Sequence, residues 1–207
     1  MFRVERFPRL RLASAEHGRV LPAAPRGEKN FARPGGVLYF SAMSKLGYPD
    51  THLVNAALGW LDLHRASDAR GELQQVSTAN ACDPEVLEVW WRIHAAERNW
   101  GEALRVAEME LMTAPDRMSG WVDRSYSLHG LRRTGEAHEA LLPAVKKFPR
   151  ASLIPYNLAC YACQLGNRQE ACRWLHEAIA RADKAEIKRL ALNDPDLAAL
   201  RDQIEQL

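Results

Sequence analysis

The sequence contains no run of apolar residues that approaches the roughly 20 needed to cross a bilayer. Its N-terminus also lacks a continuous apolar segment followed by a small-residue cleavage site, the pattern of a secretory signal. It has no glycine-rich phosphate loop, no His-Glu-x2-His zinc motif and no nucleophile elbow. These absences predict a cytoplasmic protein that is not an enzyme and that carries no cofactor.

Neither positive nor negative charge is in large excess, since the net charge is +2 at pH 7. The 47% hydrophobic content is ordinary for a globular protein. The basic residues nevertheless collect at the start of the chain, where residues 1–36 hold seven Arg and one Lys against three Glu. Prolines and the Gly35-Gly36 pair interrupt any helical pattern there. We therefore expect residues 1–36 to form a mobile basic arm, separate from the repeats.

Several roles for this arm stay open at the level of sequence. It is interpreted either as an extension without a role, as an overlong translation start with Met43 as the true one, or as an electrostatic arm for nucleic acid or an acidic membrane. It lacks runs of Lys and Arg and any alternation of basic with aromatic residues. Nucleic acid is therefore ranked last among the partners, and no membrane partner is predicted.

The sequence does contain an acidic-Ala dipeptide that returns every 34 residues. The four copies are Asp68-Ala69, Glu102-Ala103, Glu136-Ala137 and Glu170-Ala171. A frame of small or apolar residues accompanies them, twelve positions before each alanine (Ala57, Trp91, Ser125, Ala159) and four positions after it (Leu73, Ala107, Leu141, Leu175). A 34-residue period is typical of stacked helical hairpins, and small residues recur where two helices approach closely. The acidic residues are expected in the first turn of each second helix, where the helix dipole favours negative charge.

These residues resemble the tetratricopeptide repeat. The third copy of the pattern fits the repeat at most positions, with Trp121, Ser125, Leu128, Ala137, Leu141, Ala144 and Pro149. The second copy departs from it at Trp91 and Glu110, and we expect its hairpin to splay locally. The resemblance implies an all-α solenoid of four stacked antiparallel helical hairpins in a right-handed superhelix. The predicted domains are the arm at 1–36, a lead-in at 37–49 with a short helix or turn over 37–46, the repeats at 50–183 (50–83, 84–117, 118–151 and 152–185) and C-terminal capping helices at 184–207.

The resemblance also implies that the first helix of each hairpin lines a concave groove. The residues assigned to a peptide-binding groove on this basis are Val54, Leu58, Leu61, Glu88, Arg92, Val122, Tyr126, His129, Leu153, Tyr156 and Cys160. Members of the family that grip the acidic C-terminus of a chaperone use Lys, Asn and Arg at set groove positions, and these positions do not hold them here. The predicted function is a non-enzymatic scaffold that binds an apolar or amphipathic segment of another protein, with Tyr126 and Tyr156 at the centre. Covering of the groove by the N-terminal segment or by a second copy, giving a homo-oligomer, stays open.

Four residues of the fourth repeat have a spacing that nominally suits zinc: Cys160, Cys163, Cys172 and His176. The first two lie on the predicted first helix and the last two on the second, so the pairs should not converge. We therefore predict no metal site and assign the cysteines to packing. A cysteine-based metal or redox sensor is the alternative function.

The predicted capping region has two parts. A short helix is expected over residues 185–192, and Asn193-Asp194-Pro195 should open a second helix that runs to about Gln206.

Overall fold

The computed structural model describes residues 46–207, and it is helical throughout that range with no strand. The arm at 1–36 and the lead-in up to residue 45 lie outside the described residues. The α-helices are α1 (Asp50–Asp62), α2 (Ala66–Leu73), α3 (Pro84–Ala96), α4 (Trp100–Thr113), α5 (Met118–Gly130), α6 (Thr134–Lys147), α7 (Leu153–Gln164), α8 (Arg168–Ile179), α9 (Lys184–Leu192) and α10 (Arg201–Glu205). Short 3-10 helices occupy Thr78–Asn80 and Pro195–Leu200. The predicted all-α class is confirmed.

The helices pack in chain order as four hairpins, α1 with α2, α3 with α4, α5 with α6 and α7 with α8. The small residues of the 34-residue frame have no exposed surface: Ala57, Ser125 and Ala159 on first helices, and Ala69, Ala103, Ala137 and Ala171 on second helices. Larger side chains at these positions would separate the two helices of a hairpin. In addition, α1 packs directly on α3 and α3 on α5. The hydroxyls of Ser125 on α5 and Tyr161 on α7 are 3.1 Å apart, so the first helices form one continuous layer.

The turn inside each hairpin repeats with the same period. Its left-handed residue is His64, Arg98, Arg132 or Gly166, with φ of 59°, 58°, 65° and 82°. Only glycine adopts this conformation without a steric penalty, and the first three hairpins place a bulky residue there. Sequence analysis did not identify this position, because three of its four residues are not glycine.

The acidic residues of the repeated dipeptide lie in the first turns of α2, α4, α6 and α8, as predicted. The residue three positions earlier alternates in type along the stack. In hairpins one and three it is an arginine that pairs with the acid, as in Arg65 with Asp68 at 2.8 Å. In hairpins two and four it is an asparagine whose side chain caps the helix by accepting from the acid's backbone N–H, as in Asn167 with Glu170 at 3.2 Å.

Trp91, which replaces a small residue of the frame, is only half-buried. Its indole Nε1 donates to the Ser127 hydroxyl at 2.9 Å, and its ring meets the Tyr126 ring edge-on at 6.1 Å between centroids. Both partners belong to α5. The bulk of Trp91 therefore lies against hairpin three.

The C-terminal region differs from the prediction of one helix from Asp194 to about Gln206. The chain forms a 3-10 helix over Pro195–Leu200 and only then the short α10. Residues three apart lie on the same side of a 3-10 helix, and both Leu197 and Leu200 are fully buried. Both leucines belong to the core cluster that includes the buried residues of α7.

Candidate functional site

The surface of the first helices, here called the inner face, carries every residue of the predicted groove. Val54, Leu61 and Val122 are buried. They pack between helices and present almost no surface to a partner, which corrects their assignment as groove-lining residues. Leu58, Glu88, Arg92, Tyr126, His129 and Leu153 are half-buried and keep part of their side chains at the surface.

The inner face of α7 is covered by residues 194–200, here called the C-terminal segment. Tyr156 is only 1% exposed and donates its hydroxyl to Asp194 Oδ2 at 2.9 Å. Cys160 is also buried, with its Sγ 3.6 Å from the same carboxylate oxygen. Tyr156 and Cys160 are therefore not open to a partner in this structure, because the chain's own C-terminal segment occupies the place where the sequence predicted a bound peptide.

Burial beneath the C-terminal segment disfavours the charged forms of Asp194 and Cys160. Burial raises the pKa of the Asp194 carboxyl above its usual range, although Tyr156 and the backbone N–H of Asp196 both hydrogen-bond to it. Burial likewise raises the pKa of the Cys160 thiol well above its usual range. A buried thiol that stays protonated is a poor nucleophile and a poor metal ligand.

The edge of the covered region lies at α5. His129 Nε2 is 3.2 Å from Asp196 Oδ2, and its Nδ1 is 3.0 Å from the Thr134 hydroxyl. Beyond this contact the inner face of α5 continues with Tyr126, whose ring lies 5.8 Å from that of Trp100 and also contacts Trp91. The partly exposed Tyr126 therefore belongs to an aromatic cluster beside the open part of the inner face.

Three carboxyl groups gather between α3, α4 and α5, and we call Glu88, Glu110 and Asp123 the acid cluster. Glu110 has no exposed surface. One of its oxygens accepts from the Ser119 hydroxyl, and the other has no hydrogen-bond partner within residues 46–207. Burial raises the pKa of Glu110 from an ordinary 4.5 to about 7.

Asp123 lies next to Glu110 and is 7% exposed. Burial, followed by the nearby charges of Glu110 and Glu88, raises the pKa of Asp123 well above its usual range. Glu88 is more exposed and pairs with Arg117 at 3.2 Å, while Arg92 on α3 supplies the other favourable charge near Asp123. In the described part of the chain no donor hydrogen-bonds to the Asp123 carboxylate. The inner face of α3 and α5 thus carries a group of carboxyls with raised pKa values, next to Arg92 and Arg117.

Several solved structures share this arrangement of helices. TTC0263, a thermophilic TPR protein from Thermus thermophilus, superposes with a TM-score of 0.60 at 19% identity, over 76% of this chain and 100% of that one. MamA AMB-1 superposes with a TM-score of 0.53 at 17% identity, over 76% of this chain and 89% of that one. MamA MSR-1 gives 0.54 at 17% identity, over 75% and 87%. The described chain has the tetratricopeptide-repeat fold. No protein-family model matches the sequence, and no curated protein matches it either.

The tetratricopeptide-repeat geometry separates the four residues with zinc-like spacing. Cys160 and Cys163 are buried on α7, whereas Cys172 and His176 lie on α8, half-buried and exposed respectively. Among residues 46–207, no three or more His, Cys, Asp or Glu side chains are grouped so that they could hold a metal ion. Within the same range, no helix is both long and apolar enough to span a membrane.

Two features of the inner face were not found from the sequence. Glu110 stands at the repeat position that holds Ala144 and Ala178 in the next two hairpins. An acid where the repeat has a small buried residue is the feature of the sequence that could have indicated a buried carboxyl. Asp194 was assigned only a helix-capping role. Its bond to Tyr156, 38 residues away, depends on how the C-terminal segment folds back, and no local pattern indicates that.

Proposed function

We propose that this chain is a non-enzymatic scaffold that binds a polypeptide segment on the inner face of α1, α3 and α5. The observation that carries the proposal is that one end of the layer of first helices is covered by the C-terminal segment and the rest of it is not. Over α7 the inner face is occupied by the C-terminal segment, whereas over α3 and α5 the half-buried Arg92 and Tyr126 keep part of their surface.

The chemistry of this open part favours an amphipathic segment. Leu58 and Tyr126 offer apolar surface, while Glu88 and Arg92 offer charge beside it. Aromatic residues with partly buried rings often dominate the energy of an interface, because little side-chain entropy is lost when they are covered. Tyr126 is held between two tryptophan rings and is the best anchor on this surface.

Site-specific photo-crosslinking tests the proposal. A benzophenone amino acid placed at Leu58 or Arg92 should cross-link a discrete partner in extracts of the source cell, and the same group at the exposed Leu165, in the turn between α7 and α8, should not. Replacing Tyr126 with Ala should abolish the product while the helical circular dichroism signal persists. Equal cross-linking from Leu165, or a product that survives the Tyr126→Ala change, would place the binding surface elsewhere.

A further inference from the structure

The acid cluster on the open inner face includes a buried carboxyl oxygen that no described residue hydrogen-bonds. Glu88, Glu110 and Asp123 come together, and among residues 46–207 the nearby cations are Arg92 and Arg117. Within residues 46–207, Oε2 of Glu110 is buried and has no hydrogen-bond partner. Such an atom is costly, because desolvation removes its water and no donor replaces it. The Asp123 carboxylate accepts no hydrogen bond within residues 46–207. A cation delivered from outside the described region would relieve this cost.

The cluster lies at the end of the stack where the described chain begins. Asp50, the first residue of α1, accepts hydrogen bonds from Ser77 and Asn80, which lie just before α3. Arg117, the residue before α5, reaches Glu88 in the second turn of α3. The first residues of α1, α3 and α5 therefore lie side by side, and residue 46 enters the fold at the same end as Glu88.

The part of the chain that precedes this entry point has the complementary charge. Residues 1–36 carry eight basic side chains against three acidic ones. Nine further residues separate them from Leu46, and such a link spans about 30 Å when extended. Neighbouring helices pack about 10 Å apart, so the link can reach across α3 to α5. A covalent tether of this length also gives an effective concentration on the order of millimolar.

We propose that residues 1–36 of the same chain bind to the open inner face, with an arginine or lysine side chain paired with Asp123 and Glu88. This inference rests on the proposed role of the inner face as a binding surface and names its occupant in the absence of a partner. A partner segment would then have to displace the basic arm to bind.

Limited trypsin digestion of the full-length chain tests the pairing, because trypsin cleaves after the arginines and lysine of the arm. A synthetic peptide of residues 1–36 supplies the unprotected cleavage rate. In the wild-type chain we expect cleavage within 1–36 to be roughly tenfold slower than in the peptide, which corresponds to about 1.4 kcal/mol of binding. Raising the salt concentration should remove most of this protection, since it shortens the range of the attraction.

The double variant Glu88→Gln with Asp123→Asn should be cleaved in the arm at close to the peptide rate. The fold already accepts asparagine at this point, since Asn157 occupies the position of Asp123 in the next hairpin. Glu139→Gln and Glu108→Gln together remove the same two negative charges at exposed positions of α6 and α4, and this control pair should behave as wild type. If the double variant does not give wild-type circular dichroism, the salt series on the wild-type chain decides the question.

Three results would overturn the inference. They are cleavage of the wild-type arm at the peptide rate, protection that is unchanged in the double variant or in high salt, and protection that depends on protein concentration, which would assign the contact to a second copy. A protected arm combined with no cross-linked partner would overturn the proposed function alone. An unprotected arm combined with a specific partner would overturn this inference alone.

Discussion

Arg92, Tyr126 and Cys160 occupy one position of the 34-residue frame on three successive first helices, yet they meet different surroundings. The first two keep part of their surface, while Cys160 lies under the C-terminal segment. The repeat therefore sets where a side chain points. What that side chain meets is decided by residues that do not repeat. Asp123 lies near Arg92, two tryptophan rings contact Tyr126, and residues 194–200 cover Cys160.

The two regions also differ in how charge is accommodated. Over α7 the buried Asp194 receives a hydroxyl from Tyr156 and a backbone N–H from Asp196. Over α5 the Asp123 carboxylate receives no donor from the described residues. A fully bonded buried acid rigidifies the segment that carries it, whereas beside Asp123 the buried Oε2 of Glu110 has no partner within residues 46–207. This difference makes the α7 region a closed part of the fold and the α3–α5 region a candidate binding surface.

Opening the covered region should have the largest effect on stability. Changing both Leu197 and Leu200 to Ala removes the two fully buried anchors of the C-terminal segment, and burial losses of this kind cost about 2–5 kcal/mol each. Chemical denaturation should show the loss, and a thiol reagent should label Cys160 faster in the variant. Leu165→Ala, at a side chain that is 52% exposed, serves as the control and should change stability by less than about 0.5 kcal/mol. Unchanged labelling of Cys160 would mean that the C-terminal segment does not cover it.

The acid cluster should make stability depend on pH through Glu110. Its folded pKa of about 7 lies above the ordinary value of 4.5, so the folded state holds the proton more tightly than the unfolded state. The contribution of Glu110 to the free energy of unfolding is therefore fully present below pH 4.5. It falls by about 3 kcal/mol in all as the pH rises through 7. Glu110→Gln should accordingly be more stable than wild type at pH 8 and close to it at pH 5.

Urea titrations at the two pH values measure this difference, with Glu108→Gln, an exposed change on the same helix, as the control. Glutamine keeps the shape of the side chain and its ability to accept from Ser119, so cavity effects do not enter. A Glu110→Gln variant that follows the wild-type pH dependence would show that Glu110 titrates normally.

The hydrogen bond inside the covered region should contribute a smaller amount. Tyr156→Phe keeps the buried ring and removes the donor to Asp194, which leaves a buried carboxylate short of one partner and costs about 1–3 kcal/mol. Thermal or urea denaturation at pH 7 measures the loss, and Tyr48→Phe, at a side chain that is 88% exposed, is the matched control. Equal stability of the two variants would indicate that water or another donor satisfies Asp194.

The sequence predicted the parts of the fold that depend on residues a fixed interval apart. The buried alanines and the acidic first turns follow from the 34-residue frame, because each hairpin repeats the same local packing. The frame could not predict that Tyr156 and Cys160 are covered, because the covering contacts depend on a fold-back of the C-terminal segment. Nor could it show that Trp91 packs against Ser127 on the following hairpin, since side-chain volume alone does not give a direction.

Substitutions at the left-handed turn residue should change stability in opposite directions in hairpin three and hairpin four. Gly166 has a φ of 82° and no neighbour within 4 Å of an added Cβ, so any cost of Gly166→Ala comes from the backbone conformation, about 1 kcal/mol. Gly135→Ala is the same chemical change in the first turn of α6, also with open space around it, and should stabilise by less than about 1 kcal/mol. Arg132→Gly, at the equivalent turn of hairpin three, should relieve the strain of the left-handed backbone. The added entropy of the unfolded chain should offset part of the stability gained from that relief. Urea midpoints of the three variants, measured together, should therefore fall for Gly166→Ala and rise for Gly135→Ala. A fall of equal size in both alanine variants would mean that the turn conformation is not what sets the cost.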